Sequence, residues 1–352
     1  MAHIVHLVMD FQYGSTGKGL IVGYLAKRIA YDTAVCSFAT NAGHTYIDGP
    51  MVVMTQQLPV AGVVSKSVKN ILIGPGSAIH EQTLLDEIAR YHRYLEGKRI
   101  LIHPHAAVVE DYHTKSELSF GMTKIGSTAK GVGAAYAERI HRDPRNPNVV
   151  GVRWREHPEL AKYITTPEEY LQVLDMAENV MIEGAQGYSL SMYHGQYPYT
   201  TSRDVTPWQI AADCGLPFKM APYVQIIGTL RTFPIRVNNR DGSSGPCYPD
   251  QQEIEWSSLG LDAELTTVTK LPRRIFTFST MQLAEAMWHC GQYWETKLFL
   301  NFANYMRHNE VQDLVTRIET PHRLALNAPK VCWIGTGAED KDVLERHVYM
   351  GI

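Results

Sequence analysis

Nine short apolar runs punctuate the chain and read as buried strands: His3–Met9, Ala34–Phe38, Met51–Thr55, Ile71–Gly74, Ile100–His103, Val180–Glu183, Tyr223–Gly228, Lys297–Asn301 and Val331–Gly335. Between them lie stretches with helical apolar spacing, Ile21–Ile29, His80–Leu95, Pro167–Ala177, Met281–Cys290 and Asp340–Val348. This alternation predicts an α/β fold, a single large and mostly parallel sheet flanked by helices. The Gly/Pro/Asn-rich connectors Asp143–Asn148 and Asn238–Pro249 pass directly back into apolar patterns. They therefore read as parts of long active-site loops, at about 120–150 and 238–275, within one domain spanning 1–352.

With 45% hydrophobic and 20% charged residues, the composition is that of an ordinary globular protein with a substantial core. A formal charge of −3 argues against a basic nucleic-acid-binding face and leaves room for a local pocket for small anions. The five cysteines are scattered and contain no C-x-x-C pair, so neither a disulfide framework nor a zinc site is expected. No apolar run reaches membrane-spanning length and the amino end opens on a strand pattern, which predicts a cytoplasmic protein with no membrane or nucleic-acid partner. Of the fifteen histidines, pairs such as His103 and His105 lack the spacing of a metal site.

One segment carries distinct chemistry. Gly14-Ser15-Thr16-Gly17-Lys18-Gly19-Leu20 lies between the first strand and an amphipathic helix. A glycine-rich turn there lets backbone N–H groups close on phosphate oxygens, and Lys18 adds a point charge. The common P-loop pattern requires Gly where this chain has Gln12, and Ser or Thr where it has Gly19. The hydroxyl that usually holds magnesium is thus absent, and the ion must find other ligands.

Four further polar clusters stand where strands should end, at the usual ligand rim of an open sheet. They are Asn41-Ala42-Gly43-His44-Thr45, Ile125–Gly133, Glu183-Gly184-Ala185-Gln186-Gly187 and Tyr197–Ser202. Taken singly they are weak signals: His44 alone reads more readily as a satisfied loop histidine than as a functional one, and Glu183–Gly187 equally as a tight strand end. In order and spacing, however, they resemble the adenylosuccinate synthetases from about residue 3 to about residue 237. Looser similarity continues through Thr266-Thr267, Arg273-Arg274, Thr296-Lys297-Leu298 and Gly335-Thr336-Gly337.

The resemblance implies a P-loop-type fold and ligation of aspartate to C6 of a purine nucleotide through a 6-phosphoryl intermediate, with magnesium. His44 would be the general acid, Lys18 would steady the phosphates, and Gln186 would fix the purine 6-position. Gly43 would offer its carbonyl to magnesium, with the Ser15 hydroxyl as a second candidate ligand. Gly14, Thr16, Gly17, Lys18 and Gly19, together with Lys297, Phe299, Thr336 and Gly337, match donor-nucleotide positions. Ser15, Asn41, Ser127, Thr128, Gln186 and Thr201 match the acceptor site. Arg142 matches an arginine contributed by the second subunit, which implies a homodimer. Thr266 and Thr267, with Arg273 and Arg274, match the loop that clasps aspartate.

Two departures from the family pattern bear on substrate. The family loop reads Gly-Asp-Glu-Gly-Lys-Gly, and its aspartate takes the proton from purine N1; here Ser15 replaces it. A guanine base carries a 2-amino group beside N1 that an aspartate would crowd, whereas a serine leaves space and accepts a hydrogen bond. The pattern resembles the phage-type branch of the family, which joins aspartate to dGMP. The family also reads the donor's guanine with the aspartate of a Thr-Lys-Leu-Asp strand end, where this chain has Thr296-Lys297-Leu298-Phe299. That change points to ATP or dATP as donor, with adenine stacked on Phe299. The rival readings are an enzyme acting on IMP, which Ser15 and Phe299 disfavour, and a silent nucleotide-binding protein, which would have no need of an aspartate clasp.

Overall fold

In a computed structural model that describes residues 4–239, 242–266, 270–291, 296–320 and 329–351, nine strands form one sheet. In chain order they are β1 (Ile4–Asp10), β2 (Thr33–Cys36), β3 (Asn70–Ile73), β4 (Arg99–Ile102), β5 (Asn179–Gly187), β6 (Val224–Arg231), β7 (Thr296–Asn301), β8 (Lys330–Gly335) and β9 (Val343–Glu345). Across the sheet they run β9-β8-β7-β6-β1-β5-β2-β3-β4, all parallel except β9. The most central strand, β1, pairs Val5 with Val224 of β6 and with Val180 of β5. Every residue of β1 after Ile4 is buried, as expected of a strand covered on both faces.

Two apolar layers cover the sheet. On one face helix α1 (Lys18–Arg28) places Leu20, Ile21 and Leu25 against Phe38, Tyr46 and Phe299. On the other, the helices Pro167–Met176, Thr280–Cys290 and His308–Glu319 pack Leu174, Met287 and Leu314 among Leu7, Ile182 and Leu300. Lys27 and Arg28 occupy the last turn of α1, where the helix dipole favours cations. The hairpin His44–Asp48/Met51–Thr55 lies outside the main sheet and is held against α1 at Gly23, where an added Cβ would strike the Tyr46 ring.

Eight of the nine apolar runs are main-sheet strands, and the ninth, Met51–Thr55, is an arm of that hairpin. The helix expected over Asp340–Val348 does not form. Val343–Glu345 instead pairs antiparallel with β8, between a single 3-10 turn at Asp340–Asp342 and a short α-helix at Arg346–Met350. Val343 and Leu344 suit either structure, and β8 offers a free edge. Nor is 120–150 mainly loop, since it contains the helix Val132–His141. The second long loop, 238–275, carries Glu253–Ile254 and reaches Arg274–Phe276, which join Ile235–Arg236 in a small sheet beside the carboxyl edge of the main one. No helix among the described residues is long and apolar enough to cross a membrane.

Candidate active site

The phosphate loop is shaped around one buried carboxylate. Asp10, the last residue of β1, accepts the Gln12 N–H at 2.7 Å, the Gly14 N–H at 3.3 Å and the Thr16 hydroxyl, and lies 3.5 Å from the Lys18 ammonium. The loop therefore closes on its own strand end before any ligand arrives. Gly14, Ser15 and Gly17 all have positive φ, which Gly adopts freely and Ser15 holds at +57° only under constraint. Gly17 has a second reason to lack a side chain: an added Cβ would sit 2.1 Å from Asn301 Nδ2 at the end of β7. Lys18 also donates to the Gln186 carbonyl at 3.0 Å, tying the loop to the end of β5.

Beside the loop lies a cavity of about 590 Å³ whose wall includes Ser15, Lys18, Asn41, Gly43, His44, Thr128, Gln186 and Arg273. A second cavity of about 390 Å³ shares Asn41, Thr128, Gln186 and Arg273 with it and adds Ser127 and Thr201. The two are lobes of one cleft at the carboxyl edge of the sheet. Six segments far apart in sequence thus bring most of the expected acceptor and catalytic residues onto one surface.

His44 opens the hairpin, with its ring edge-on to Phe38 at 4.6 Å between centroids. Its Nδ1 pairs with Glu183 Oε1 at 2.5 Å, while Glu183 Oε2 accepts the Val60 N–H at 2.7 Å. Glu183 is wholly buried, so it fixes the imidazole orientation and leaves Nε2 for the cleft. Gln186 stands at φ +64° with its Nε2 3.5 Å from the Asn41 carbonyl, and Asn41 Oδ1 is buried with no partner. That orphaned amide oxygen marks a place where a ligand can complete a hydrogen bond.

Several functional residues escaped the sequence reading. Glu183 opens the Glu183–Gly187 cluster, whose sequence alone reads as a tight strand end. Glu117 gave no signal, yet its carboxylate accepts the N–H groups of Gly131, Gly133 and Ala134 and so fixes the loop bearing Ser127 and Thr128. Tyr13 lines both lobes, donates to Gln251 at 2.9 Å and lies beneath the Arg236 guanidinium; burial pushes its hydroxyl up to about 12. Its position directly before the loop was the available clue.

Other expected residues lie elsewhere. Lys297 is the second residue of β7, four positions and roughly 13 Å from the ligand edge of a parallel sheet. Phe299 is mid-strand, wholly buried, and paired in register with Thr229 and Trp333. Its ring packs under Gly17 and Gly335, not against open space, so it is no stacking surface for adenine. β7 runs on past Phe299 to Asn301 before Phe302-Ala303-Asn304 turn away, so Phe299 does not stand at a strand end. Thr336 and Gly337 follow β8 at the ligand edge but line neither lobe, and Thr336 is bonded to the Asp342 carbonyl.

In the aspartate loop, Arg273 reaches both lobes, whereas Arg274 is spent on Glu253 at 2.6 Å and the Gly245 carbonyl at 2.6 Å. Thr266 is buried and accepts the Leu271 N–H, and Thr267 lies outside the described residues. Arg142 caps the helix Val132–His141 in a left-handed conformation and is exposed, away from both lobes of its own chain. Among the described residues, the group with metal-ligand spacing is Glu110, Glu156 and His157. The Arg153 guanidinium already holds both carboxylates, and these residues line neither lobe.

Phe299→Ala is therefore expected to lower stability by about 3–5 kcal/mol, the scale for emptying a buried aromatic site, with little change in the ratio of kcat/KM between ATP and GTP. Chemical denaturation alongside donor kinetics checks it. A changed donor ratio at unchanged stability would return Phe299 to the base-binding site.

A glycine-rich phosphate loop at the carboxyl edge of a parallel sheet, facing a carboxylate-held histidine across a polar cleft, defines an α/β nucleotide-binding enzyme. The adenylosuccinate synthetase family model matches residues 7–148 and 152–300. The chain belongs to that family. It is 43% identical to an N6-succino-2-amino-2'-deoxyadenylate synthase of Salmonella phage PMBT28, over 97% of this chain and 98% of the relative. Its fold superposes with a TM-score of 0.90 on the cyanophage S-2L succinoaminodeoxyadenylate synthetase bound to dGMP and dATP as an energy donor, at 38% identity and covering 98% and 96% of the two chains. A Plasmodium falciparum adenylosuccinate synthetase shares the fold alone, with a TM-score of 0.76 at 18% identity, covering 98% of this chain and all of that one.

Proposed function

We propose that this enzyme joins L-aspartate to C6 of dGMP at the expense of ATP or dATP, giving 2-amino-deoxyadenylosuccinate for diaminopurine DNA. The observation that carries the reading is Ser15: it occupies the family's N1-directed aspartate position and lines the cleft with His44 and Gln186. The phage relatives named for the same product, one of them solved with dGMP and dATP, support it. The donor assignment rests on that relative rather than on Phe299.

The chemistry needs two displacements. The purine N1 gives up its proton to water as O6 takes the γ-phosphoryl group of the donor, forming the O6–P bond while the bond to the β-phosphate oxygen breaks. The aspartate amine then attacks C6 and phosphate leaves. In the first step Lys18 and the loop N–H groups stabilise charge on the phosphoryl oxygens, with His44 Nε2 as donor to the group in transit. In the second, Gln186 holds the purine 6-position and Arg273 holds an aspartate carboxylate, assisted by Thr266 and Thr267. Asn41, Ser127, Thr128 and Thr201 hold the 5'-phosphate, and Arg142 reaches it from the second subunit of a homodimer.

Magnesium fits the cleft. Gly43 and Ser15 line the same wall of the larger lobe, and an added Cβ at Gly43 would meet no atom within 4 Å, so the Gly43 carbonyl and the Ser15 hydroxyl are the candidate ligands. When bound, the ion would neutralise charge on the transferring phosphates. The reaction belongs in the host cytoplasm, where the nucleotides are.

An assay crossing IMP, GMP and dGMP with GTP, ATP and dATP in the presence of aspartate tests the reading. The expected result is greatest kcat/KM for dGMP with ATP or dATP. Faster turnover of IMP with any donor would overturn it.

A further inference from the structure

Arg231, the last residue of β6, is wholly buried. Its guanidinium reaches in two directions, donating to the Ser15 carbonyl at 3.2 Å and to the Glu264 carboxylate at 2.5 Å. The Phe302 ring lies 3.8 Å beneath it, and the Tyr305 hydroxyl donates to the same Glu264 oxygen at 3.2 Å. Glu264 accepts the Arg273 N–H through its own carbonyl at 2.7 Å, while Leu265 bridges to Pro272. One buried cation thus links the turn that presents Ser15 to the loop that presents Thr266 and Arg273.

We propose that Arg231 and Glu264 are a positioning pair that sets the acceptor-reading turn and the aspartate loop in register with each other, so that occupancy of one site favours occupancy of the other. The proposal rests on the roles given above to Ser15 and Arg273. Ser15 sits at φ +57°, a conformation that persists only where the surroundings impose it, and the Arg231 bond to its carbonyl is such a restraint. A buried guanidinium is stable only with its counter-ion, so the two side chains act as a unit. Lysine could not replace the arginine, because a single ammonium on a flexible stem does not span a carbonyl on one side and a carboxylate on the other. The Glu264 side chain is 30% exposed, which places one end of the link at the rim of the cleft, within reach of changes in the aspartate loop.

Glu264→Gln in the full-length enzyme is the principal test, because its exposure lets the variant fold, and Arg231→Lys is the second. In the ligand-free protein, hydrogen exchange of Tyr13–Lys18 should quicken about fivefold or more in both variants, although Glu264 is remote from that segment in sequence. With dGMP and aspartate, both KM values should rise about fivefold or more while kcat stays within about threefold. Faster exchange confined to the neighbourhood of Glu264, or a rise in the aspartate KM alone, would show that Glu264 serves only its own loop and would overturn the proposal. Should the wild-type enzyme not use dGMP, the acceptor reading fails, and the exchange measurement still decides whether the pair restrains the Ser15 turn.

Discussion

His44→Ala is expected to lower the ligation rate by about 10²–10⁴-fold, the scale of a positioned proton donor, while donor-nucleotide affinity stays within about threefold. The geometry separates the two effects. Asp10 shapes the phosphate loop through the Gln12 and Gly14 N–H groups and Lys18 without the imidazole, whereas His44 is held by Glu183 at Nδ1 and packs edge-on to Phe38. In the role proposed for it, its contribution is confined to the step in which charge moves. Calorimetric titration of the nucleotide beside single-turnover kinetics distinguishes the cases. Joint loss of binding and turnover would make His44 a structural residue, and loss of neither would remove it from the mechanism.

Ser15→Asp should cut kcat/KM for dGMP by about tenfold or more, equivalent to about 1.4 kcal/mol for a 2-amino group set against a crowding carboxylate. The substitution is clean because aspartate tolerates the left-handed backbone that Ser15 adopts, so the loop should keep its shape. Parallel measurement on IMP, which has only hydrogen at C2, supplies the control: its turnover should fall less than that of dGMP. Unchanged use of dGMP by the variant would show that the acceptor's 2-amino edge is read by another residue.

The strands were legible because a sheet covered on both faces requires continuous apolar runs, and Ile71–Gly74 or Val180–Glu183 have no other simple explanation. Val343–Glu345 was not, because three residues joining an existing edge carry no periodic signal. The helix Val132–His141 was hidden by the glycines at its start and by its N-terminal N–H groups being satisfied from Glu117, a residue of a different helix. The cleft residues were found through their motif order, which preserves chemistry. The partners that orient them, Glu183, Glu117 and Arg231, are defined by distance in space and leave little trace in local sequence. The burial of Phe299 was hidden for a related reason: three letters shared with a motif do not say where a strand ends, whereas pairing with Thr229 and Trp333 places the residue in mid-strand.

The position of Phe299 beneath Gly17 and Gly335 also bears on how this enzyme can change. The floor of the phosphate cradle is a core side chain, so the curvature of the loop is inherited from the packing of β7 and β8. A mutation there cannot alter nucleotide handling without being felt by the whole domain. The rim is different at Asn304, which lies past the end of β7 and is exposed. Substitutions at such a rim position therefore cost little stability, while the phosphate-binding floor stays fixed by the core beneath it.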